Sequence, residues 1–435
     1  MADTAREAAL SALERCRRSG AWSSNVMDSV ITKYALDGRA ASLANRIFLG
    51  VLQNLSLCDF YIDSYCTAAK IEPKVRDILR ISVYQLVFMD KIPANAAVNE
   101  AVNLCKKLGY SRASGFVNAV LRKVAANSDN LPEVKGKGTA EYLSVRYSHP
   151  LWLAEYMVKK HGYAFAEEFF AANNCAPETC IQVNTLKIST DELLNRLKAA
   201  DIECKKHDWI PDCLTVSGNV TIMPGFDEGL FYVQDPAAKA AVLIAGLKPG
   251  MNVLDACAAP GGKSFAAAIC MKNEGSILSC DLHEKKTRLI VSGAERMGFG
   301  IIETRAADAR VHADGEYDAV IADVPCSGYG VIRKKPDIRY KSEDERRGLP
   351  RIQSAILENL ANNVKCGGVL VYSTCTVFSE ENEEVITSFL AEHPEYTAEE
   401  FSLPCGITAE SGMMTFWPNV NGTDGFFVCK LRRKQ

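Results

Sequence analysis

Apolar residues recur at helical spacing from residue 4 to about residue 126. They lie three or four positions apart in successive segments, a period that places them on one face of a helix. One of these segments contains Val75, Ile78, Leu79, Val83 and Leu86. Short breaks such as Asp37-Gly38 and Ile92-Pro93 separate the segments and mark turns. The pattern predicts an all-helical amino-terminal domain over residues 1–130.

A polar, glycine-containing stretch over residues 127–140 interrupts the helical pattern and predicts a linker. Beyond it, helical spacing and short apolar, strand-like runs are mixed. The helical segments cover residues 151–160, 164–172 and 191–200, and the strand-like runs cover residues 180–185 and 213–216. This mixture predicts a small α+β module over residues 141–230.

Strand patterns alternate with helical or loop segments through residues 231–435. The apolar strand patterns occur over residues 252–256, 276–280, 301–304, 318–322 and 368–373. Such alternation is typical of a doubly wound sheet in which most strands are parallel. We therefore predict an α/β domain here, closed by a last strand over residues 425–431.

The composition agrees with an ordinary globular protein, because 48% of the residues are hydrophobic and 24% are charged. The first residues, Met1 to Glu7, include acids and lack the apolar segment of a signal peptide, and no apolar run is long enough to span a bilayer. We therefore expect a cytoplasmic protein that does not contact membranes. Sixteen cysteines without a C-x-x-C pair, and only six histidines, indicate reduced thiols and no metal site.

Basic residues outnumber acidic ones in the predicted helical domain. Residues 1–130 contain 17 Lys and Arg against 12 Asp and Glu, whereas the whole chain carries a net charge of −3. A basic domain indicates contact with nucleic acid, although a charged face is equally typical of a solvated surface. The candidate phosphate-binding residues are Arg15, Arg17, Arg18, Lys106, Lys107, Arg122 and Lys123.

The first strand of the α/β domain leads into a turn of small residues, Cys257 to Ser264, that opens onto a helix. Such a turn lets the backbone approach a ligand closely. A phosphate-binding loop would need glycine where Cys257 stands, and the dinucleotide pattern G-x-G-x-x-G is absent. Asp281 and Asp308 follow the next two strands, where a carboxylate can bond ribose hydroxyls or cap a helix. Together these features favour a nucleoside-containing cofactor, S-adenosylmethionine.

Two cysteines follow later strands of the predicted sheet. Cys326 comes three residues after Asp323, and Cys375 ends the run Ser373-Thr374-Cys375. Ligands bind outside the carboxyl ends of the strands in an open α/β sheet, so we expect both thiols to face one cleft. A cysteine alone is more often a small buried hydrophobe. Two thiols beside a cofactor site instead indicate a catalytic pair, with Cys375 as the candidate nucleophile.

Four motifs in the carboxyl-terminal half resemble those of the RNA cytosine-C5 methyltransferases of the NOL1/NOP2/Sun superfamily. They are DACAAPGGK at 255–263, DVPCSG at 323–328, Ser373-Thr374-Cys375 and Asp424-Gly425-Phe426-Phe427. Segments 92–102 and 115–122 resemble the NusB-like extension of the bacterial Sun branch. The resemblance implies a Rossmann-like, S-adenosylmethionine-dependent methyltransferase domain after an RNA-binding domain. The expected substrate is an unpaired or loop cytosine of 16S ribosomal RNA.

The resemblance also implies a role for each motif residue. The Cys375 thiolate would add to C6 of the cytosine, which activates C5, and Cys326 would assist removal of the C5 proton and release of the enzyme. Asp323 would support the addition near N3, and Lys263 would favour the charged sulfur or contact the base. The expected cofactor-binding residues are Cys257, Ala258, Ala259, Pro260, Gly261, Gly262, Lys263, Asp281, Asp308 and Asp323.

One residue departs from the family pattern, and two other classes of protein share some of the features. Gln182 stands where the family usually has an arginine, which is a presumed RNA contact. A non-catalytic RNA-binding protein could have the helical domain, but it would not need two thiols and a cofactor turn. A DNA cytosine methyltransferase uses the cysteine of the P-C turn as nucleophile and lacks the thiol of the T-C motif. The paired thiols favour RNA methylation, and a monomer is the default expectation.

Overall fold

The computed structural model describes residues 2–19, 23–66, 70–311, 315–404 and 406–434. These residues belong to two units. The first unit consists of residues 1–175 and 332–341, and the second consists of residues 176–331 and 342–435. The three predicted domain ranges stay predictions.

The described residues of the first unit form helices, which confirms the prediction for residues 4–126. The helices are α1 (Ala2–Ser19), α2 (Ser23–Tyr34), α3 (Gly38–Gln53), α4 (Leu55–Tyr65), α5 (Pro73–Phe88), α6 (Ala94–Lys107), α7 (Ser114–Ala126), α8 (Ala140–Arg146), α9 (Leu151–His161) and α10 (Tyr163–Asn174), with 3₁₀ turns at Ser111–Ala113 and Pro336–Tyr340. Local sequence explains where α5 begins, because the Glu72 carboxylate accepts hydrogen bonds from the amides of Lys74 and Val75. The apolar faces of α1 to α7 pack into one core that includes Phe48 and Leu79.

Arg339 lies in the segment 332–341, which belongs to the first unit. Its side chain is fully buried and donates hydrogen bonds of 2.8–3.2 Å to the backbone carbonyls of Gln53, Tyr147, Ser148 and Asn173. These acceptors compensate the guanidinium for the loss of water. The segment is therefore held in the first unit by a charged group rather than by apolar contacts alone.

Some of the basic residues predicted to bind phosphate are engaged within the first unit. Arg17 pairs with Asp77 at 3.2 Å, and Lys107 pairs with Glu7. The side chain of Arg18 lies outside the described residues. RNA contact by this unit stays a prediction.

A small antiparallel sheet opens the second unit. Its elements are β1 (Thr179–Val183), α11 (Thr190–Ala199), β2 (Cys204–Lys206), β3 (Cys213–Val216) and β4 (Phe231–Val233), with a 3₁₀ turn at Val220–Ile222. The strands pair in the order β2-β3-β1-β4. Helix α11 begins with a capping box, in which Ser189 and Glu192 each bond the other's backbone amide. The predicted helix over 191–200 and the strands near 180 and 213 are thereby confirmed.

A larger mixed sheet and a separate two-stranded sheet form the rest of the second unit. The strands and helices of this part are α12 (Pro236–Leu243), β5 (Asn252–Asp255), α13 (Gly262–Cys270), β6 (Ser276–Asp281), α14 (Glu284–Met297), β7 (Ile302–Ala306), β8 (Tyr317–Asp323), α15 (Leu349–Ala361), β9 (Val364–Thr374), α16 (Glu383–Glu392), β10 (Tyr396–Ala398), β11 (Phe401–Ser402), β12 (Thr408–Ala409), β13 (Met413–Phe416), α17 (Pro418–Asn421) and β14 (Phe426–Arg433). Strands β11 and β12 form the two-stranded sheet. Further 3₁₀ turns lie at Glu343–Arg346 and Ser379–Glu381.

The larger sheet has the strand order β10-β14-β9-β8-β5-β6-β7, with β13 paired to β14. Strands β5 to β9 are parallel to their neighbours among themselves, and β14 runs antiparallel to β9. This confirms the predicted α/β domain with a mainly parallel sheet. The sequence pattern did not predict the short strands β10 to β13. None of the described helices is long and apolar enough to cross a bilayer.

Candidate active site

The carboxyl ends of the parallel strands bring the predicted site residues to one edge of the larger sheet. Strand β8 ends at Asp323, and the loops after β8 and its neighbour β9 contain Cys326 and Cys375. Strands β5 and β6 end at Asp255 and Asp281 on the same edge. In a doubly wound sheet this edge is where ligands bind.

The two candidate thiols are in direct contact. The Sγ atoms of Cys326 and Cys375 are 3.0 Å apart, and the backbone amide of Cys375 donates to Cys326 Sγ at 3.2 Å. The hydrogen bond with Cys375, together with burial, holds the pKa of the Cys326 thiol well above its usual range. Cys326 is therefore a neutral thiol near pH 7 in this arrangement, able to donate its proton toward the Cys375 sulfur.

Gly330 and Gly425 tie the two cysteine loops to the strand that closes the chain. The Gly330 amide donates to the Cys375 carbonyl at 2.9 Å, and the Gly425 amide donates to the Gly330 carbonyl at 2.8 Å. A Cβ atom on Gly330 would collide with the carbonyl oxygen of Gly425, so the close approach requires glycine. The Asp424-Gly425-Phe426-Phe427 motif thus lies beside the thiols.

Lys263 and Asp323 form an ion pair at this edge. Lys263 Nζ is 2.6 Å from Asp323 Oδ2, and the Ser373 hydroxyl donates to Asp323 Oδ1 at 2.9 Å. Lys263 Nζ also lies 5.0 Å from the centre of the Phe426 ring, within the range of a cation–π contact. The Lys263 side chain is only 9% exposed, so its position is set by these partners. The roles assigned to Lys263 and Asp323 stay predictions.

Backbone hydrogen bonds fix the shape of the small-residue turn. The Ala258 amide donates to the Cys280 carbonyl at 2.7 Å, and the Gly261 amide donates to the Ala258 carbonyl at 2.7 Å. Gly261 has a φ of 111°, and a Cβ there would lie 2.6 Å from the Phe265 ring. Helix α13 begins at Gly262, so the amides of its first turn point toward the carboxyl edge of the sheet.

Three acids at or just after the ends of strands β5, β6 and β7 differ in burial and in partners. Asp255 is fully buried, and the Ser264 hydroxyl donates a hydrogen bond to its Oδ2 at 2.7 Å. Its Oδ1 has no hydrogen-bond partner among the described residues. Burial raises the pKa of Asp255 to about 7. Asp281 is partly exposed and accepts a hydrogen bond from the His283 amide at 3.0 Å. Asp308 pairs with Arg310 at 2.6 Å, and the hydrogen bonds from Arg310 lower the pKa of Asp308 to about 2.

These residues fit a nucleoside-containing cofactor. The turn from Cys257 to Lys263 offers small side chains and backbone amides, and the Asp281 carboxylate keeps acceptor positions that the His283 amide does not use. Burial raises the pKa of the Cys257 thiol, so this sulfur is neutral in the turn. Among the described residues no three His, Cys, Asp or Glu side chains cluster as metal ligands.

Sequence reasoning missed two buried polar residues beside the thiols, Glu381 and Asn382. Both lie in a run of acids, residues 380–384, that is typical of a solvated surface. In the structure Glu381 is 0% exposed and Asn382 is 1% exposed. Their position six and seven residues after Cys375 was the only available signal, and it does not distinguish buried from exposed acids.

Gln182 is also fully buried, which bears on the departure from the family pattern. Its amide nitrogen donates to the Gln234 carbonyl at 3.0 Å and to Cys213 Sγ at 3.3 Å. In this arrangement the Gln182 side chain supports the small sheet and does not reach solvent.

Comparisons with known proteins agree with the geometry of this edge. Residues 242–432 match the family described as "16S rRNA methyltransferase RsmB/F", residues 3–126 match the NusB family, and residues 149–223 match an RsmF/B-like ferredoxin-like domain. A Bacillus subtilis protein, "Probable ribosomal RNA small subunit methyltransferase B", is 36% identical over 99% of this chain and 98% of its own length. The chain belongs to the RsmB/F family.

Solved structures share the RsmB/F fold. The crystal structure of PH0851 has a TM-score of 0.79 and 29% sequence identity, and the match covers 100% of this chain and 99% of that chain. The structure of NSun6 from Pyrococcus horikoshii with SFG, an analogue of S-adenosylmethionine, has a TM-score of 0.59 and 20% identity over 70% of this chain and 99% of that one. The second likeness shows the fold alone.

Proposed function

We propose that this protein transfers a methyl group from S-adenosylmethionine to C5 of a cytosine in 16S ribosomal RNA, through a covalent bond between Cys375 and C6. The observation that carries the proposal is the 3.0 Å contact between Cys326 and Cys375 beside the Lys263–Asp323 ion pair. Membership in the RsmB/F family supports the ribosomal substrate.

The first step needs a charged nucleophile, because C5 of cytosine does not accept a methyl group unless C6 is first attacked. The Cys375 sulfur forms the bond to C6 while the Cys326 S–H donates a hydrogen bond to it. In the proposed step the Lys263–Asp323 pair, whose Nζ and Oδ2 atoms are 2.6 Å apart, supplies a hydrogen bond and a proton to N3. N3 thereby takes up the negative charge that the attack places on the ring. C5 thereby becomes nucleophilic.

The second step needs a base, and the pKa of Cys326 falls once Cys375 has bonded to C6. The hydrogen bond with Cys375 and the charge of that sulfur both contribute to the high pKa of Cys326. Once the Cys375 sulfur is bonded to C6, it carries no charge and accepts no strong hydrogen bond, so Cys326 ionises more readily. The Cys326 proton passes to solvent, and after C5 is methylated the Cys326 thiolate takes the C5 proton. The bond from C6 to sulfur then breaks, N3 returns its proton, and Cys375 leaves as a thiolate.

When bound, S-adenosylmethionine supplies an electrophilic methyl group to this edge of the sheet. The turn from Cys257 to Lys263, with Asp281 and Asp323, would hold it, whereas the Asp308 carboxylate is already paired with Arg310. The steps include no metal, since thiol, carboxylate and ammonium groups supply each nucleophile and proton. The target cytosine must leave its stack to reach a half-buried thiol, which favours unpaired or loop RNA.

The test uses the methyl-labelled cofactor, 16S ribosomal RNA and a DNA of the same sequence. We expect labelling of the RNA only. Cys375→Ala should abolish transfer, and Cys326→Ala should accumulate a covalent protein–RNA adduct that survives denaturation. Cys366→Ala is the matched control, because Cys366 is an exposed cysteine of the same strand β9 and lies away from the edge. Normal methylation by Cys375→Ala, or an adduct formed in that variant through Cys326, would overturn the proposal.

A further inference from the structure

Glu381 and Asn382 follow the Cys375 loop and lie between it and helix α16. Glu381 ends a 3₁₀ turn, Ser379–Glu381, and Asn382 precedes the first residue of α16. Both side chains point inward although their neighbours Glu380, Glu383 and Glu384 are more exposed. Burying a carboxylate lowers stability unless its hydrogen bonds compensate the lost hydration, so the hydrogen bonds of Glu381 should explain why it is buried.

The contacts of Glu381 fix both sides of Cys326. Glu381 Oε2 accepts a hydrogen bond from the Ser327 amide at 2.9 Å and another from Gln353 Nε2 at 3.0 Å. Gln353 Nε2 also donates to the Pro325 carbonyl at 3.1 Å. Pro325 and Ser327 are the two residues that flank Cys326, so the peptide groups on both sides of this thiol are held.

The contacts of Asn382 fix both sides of Cys375. Asn382 Oδ1 accepts a hydrogen bond from the Thr374 hydroxyl at 2.6 Å, and its Nδ2 donates to the Thr376 carbonyl at 3.2 Å. The hydroxyls of Thr376 and Ser327 are 2.8 Å apart and join the two loops. Two consecutive residues therefore hold the flanks of two thiols that lie 49 positions apart in the chain.

Glu381 also contains an unused acceptor. Its Oε1 is buried and has no hydrogen-bond partner among the described residues. A buried carboxylate oxygen without a hydrogen bond costs stability. The burial is instead consistent with a demand for fixed geometry at Cys326.

We propose that Glu381 and Asn382 are positioning residues with separate tasks: Asn382 sets Cys375 for attack on C6, and Glu381 sets Cys326 for removal of the C5 proton. The proposal rests on the proposed function. It predicts that the two residues affect different steps, whereas a merely structural role would impair both steps together. Binding of RNA and cofactor should not depend on either residue.

The experiment compares Glu381→Ala, Asn382→Ala and the control Glu384→Ala, an exposed acid of the same run. A misplacement of a reacting group by about 1 Å can slow a step by about 10²-fold. Glu381→Ala should therefore accumulate the covalent protein–RNA adduct, as expected for Cys326→Ala. Asn382→Ala should form the adduct slowly and not accumulate it. Glu384→Ala should behave as the wild type, and the Kd of the non-covalent RNA complex should stay unchanged throughout.

Conservative variants separate positioning from folding. Glu381→Gln keeps an oxygen that can accept from Ser327 and should restore release, and Gln353→Ala, which loses the bond to Pro325, should accumulate adduct as Glu381→Ala does. If Glu381→Ala does not fold, these two variants still test whether Glu381 positions Cys326. Equal slowing of adduct formation and release in both alanine variants would overturn the proposal.

Alkylation of the thiols provides a readout that does not depend on the methylation mechanism. Iodoacetamide labelling followed by mass spectrometry should show a changed rate at Cys326 in Glu381→Ala and at Cys375 in Asn382→Ala. Equal changes at both thiols in either variant would overturn the inference. Failure of Cys326→Ala to trap an adduct would instead contradict the proposed function, and the alkylation rates would still test the positioning roles.

Discussion

Two regions at the carboxyl edge of the larger sheet differ in how their polar groups are bonded. Where β8 and β9 end, each polar group is bonded to another group of the protein: Cys326 to Cys375, and Asp323 to Lys263 and Ser373. Where β5, β6 and β7 end, Asp255 is buried and Asp281 and Asp308 are partly exposed, and Asp281 accepts a single hydrogen bond among the described residues. In the first region the protein already holds the candidate reacting groups in position, whereas in the second some polar groups remain available to a ligand.

A position at the end of a strand therefore does not define the role of an acid. Asp323 and Asp255 end parallel strands of the larger sheet, and Asp308 follows another. The first is paired with an internal lysine, the second is buried with a pKa of about 7, and the third is paired with a surface arginine that lowers its pKa to about 2. Burial and the nearest partner decide which of them can bind, orient or exchange a proton.

Among substitutions of these acids, the largest effect is expected for Asp323→Asn. Asparagine keeps the shape and can still accept from Ser373, but it loses the charge that holds Lys263. Loss of a proton-transfer or hydrogen-bonding group at a reacting base lowers kcat by about 10²- to 10⁴-fold. The matched control is Asp318→Asn, an acid of the same strand that pairs with Lys365 at 2.7 Å. Steady-state methyl transfer measures both, and equal losses would contradict a special role for the end of β8.

A smaller effect, on stability, is expected for Asp255→Asn. The pKa of Asp255 rises from 3.8 to about 7 on folding, so between these values the folded state binds a proton that the unfolded chain has released. Stability is therefore lost as the pH rises through this window. Between pH 5 and pH 8 the wild type should lose about 3 kcal/mol of unfolding free energy that Asp255→Asn does not lose.

Urea unfolding of both proteins at the two pH values measures this difference. Asp308→Asn is the control, because the pKa of Asp308 is lowered to about 2 and this acid does not titrate between pH 5 and pH 8. The same pH slope in Asp255→Asn and wild type would show that Asp255 is not the group responsible.

The sequence was sufficient to predict the parallel sheet and the meeting of Cys326 and Cys375, because parallel strands place their following loops at one edge. It was not sufficient to separate Asp281 from Asp308, since both simply follow a strand. Arg310 is visible two residues after Asp308, but only the turn geometry shows that its guanidinium folds back onto the carboxylate. Three-dimensional burial likewise distinguishes Glu381 from the exposed acid Glu384.

The same limit applies to long-range contacts of single polar residues. Arg339 donates to carbonyls of residues that precede it by 166 to 286 positions, and no periodic pattern marks it as buried. Apolar periodicity reports which face of an element is covered. It carries no information on which distant carbonyls a lone arginine will meet.

The smallest effect separates the two acids that look alike in the sequence, Asp281 and Asp308. Asp281 accepts one bond, from the His283 amide, so its carboxylate remains available to ribose hydroxyls, whereas Arg310 already occupies Asp308. A hydrogen bond to a charged group contributes about 1.5–3 kcal/mol, so Asp281→Ala should weaken S-adenosylmethionine binding by about 10- to 100-fold. A solvent-screened ion pair contributes at most about 1 kcal/mol, so Asp308→Ala should change the Kd by only a few fold.

Isothermal titration of the full chain with the cofactor measures both values. Equal weakening would place both acids on the ligand and remove the distinction between them, and a larger loss for Asp308→Ala would reverse it.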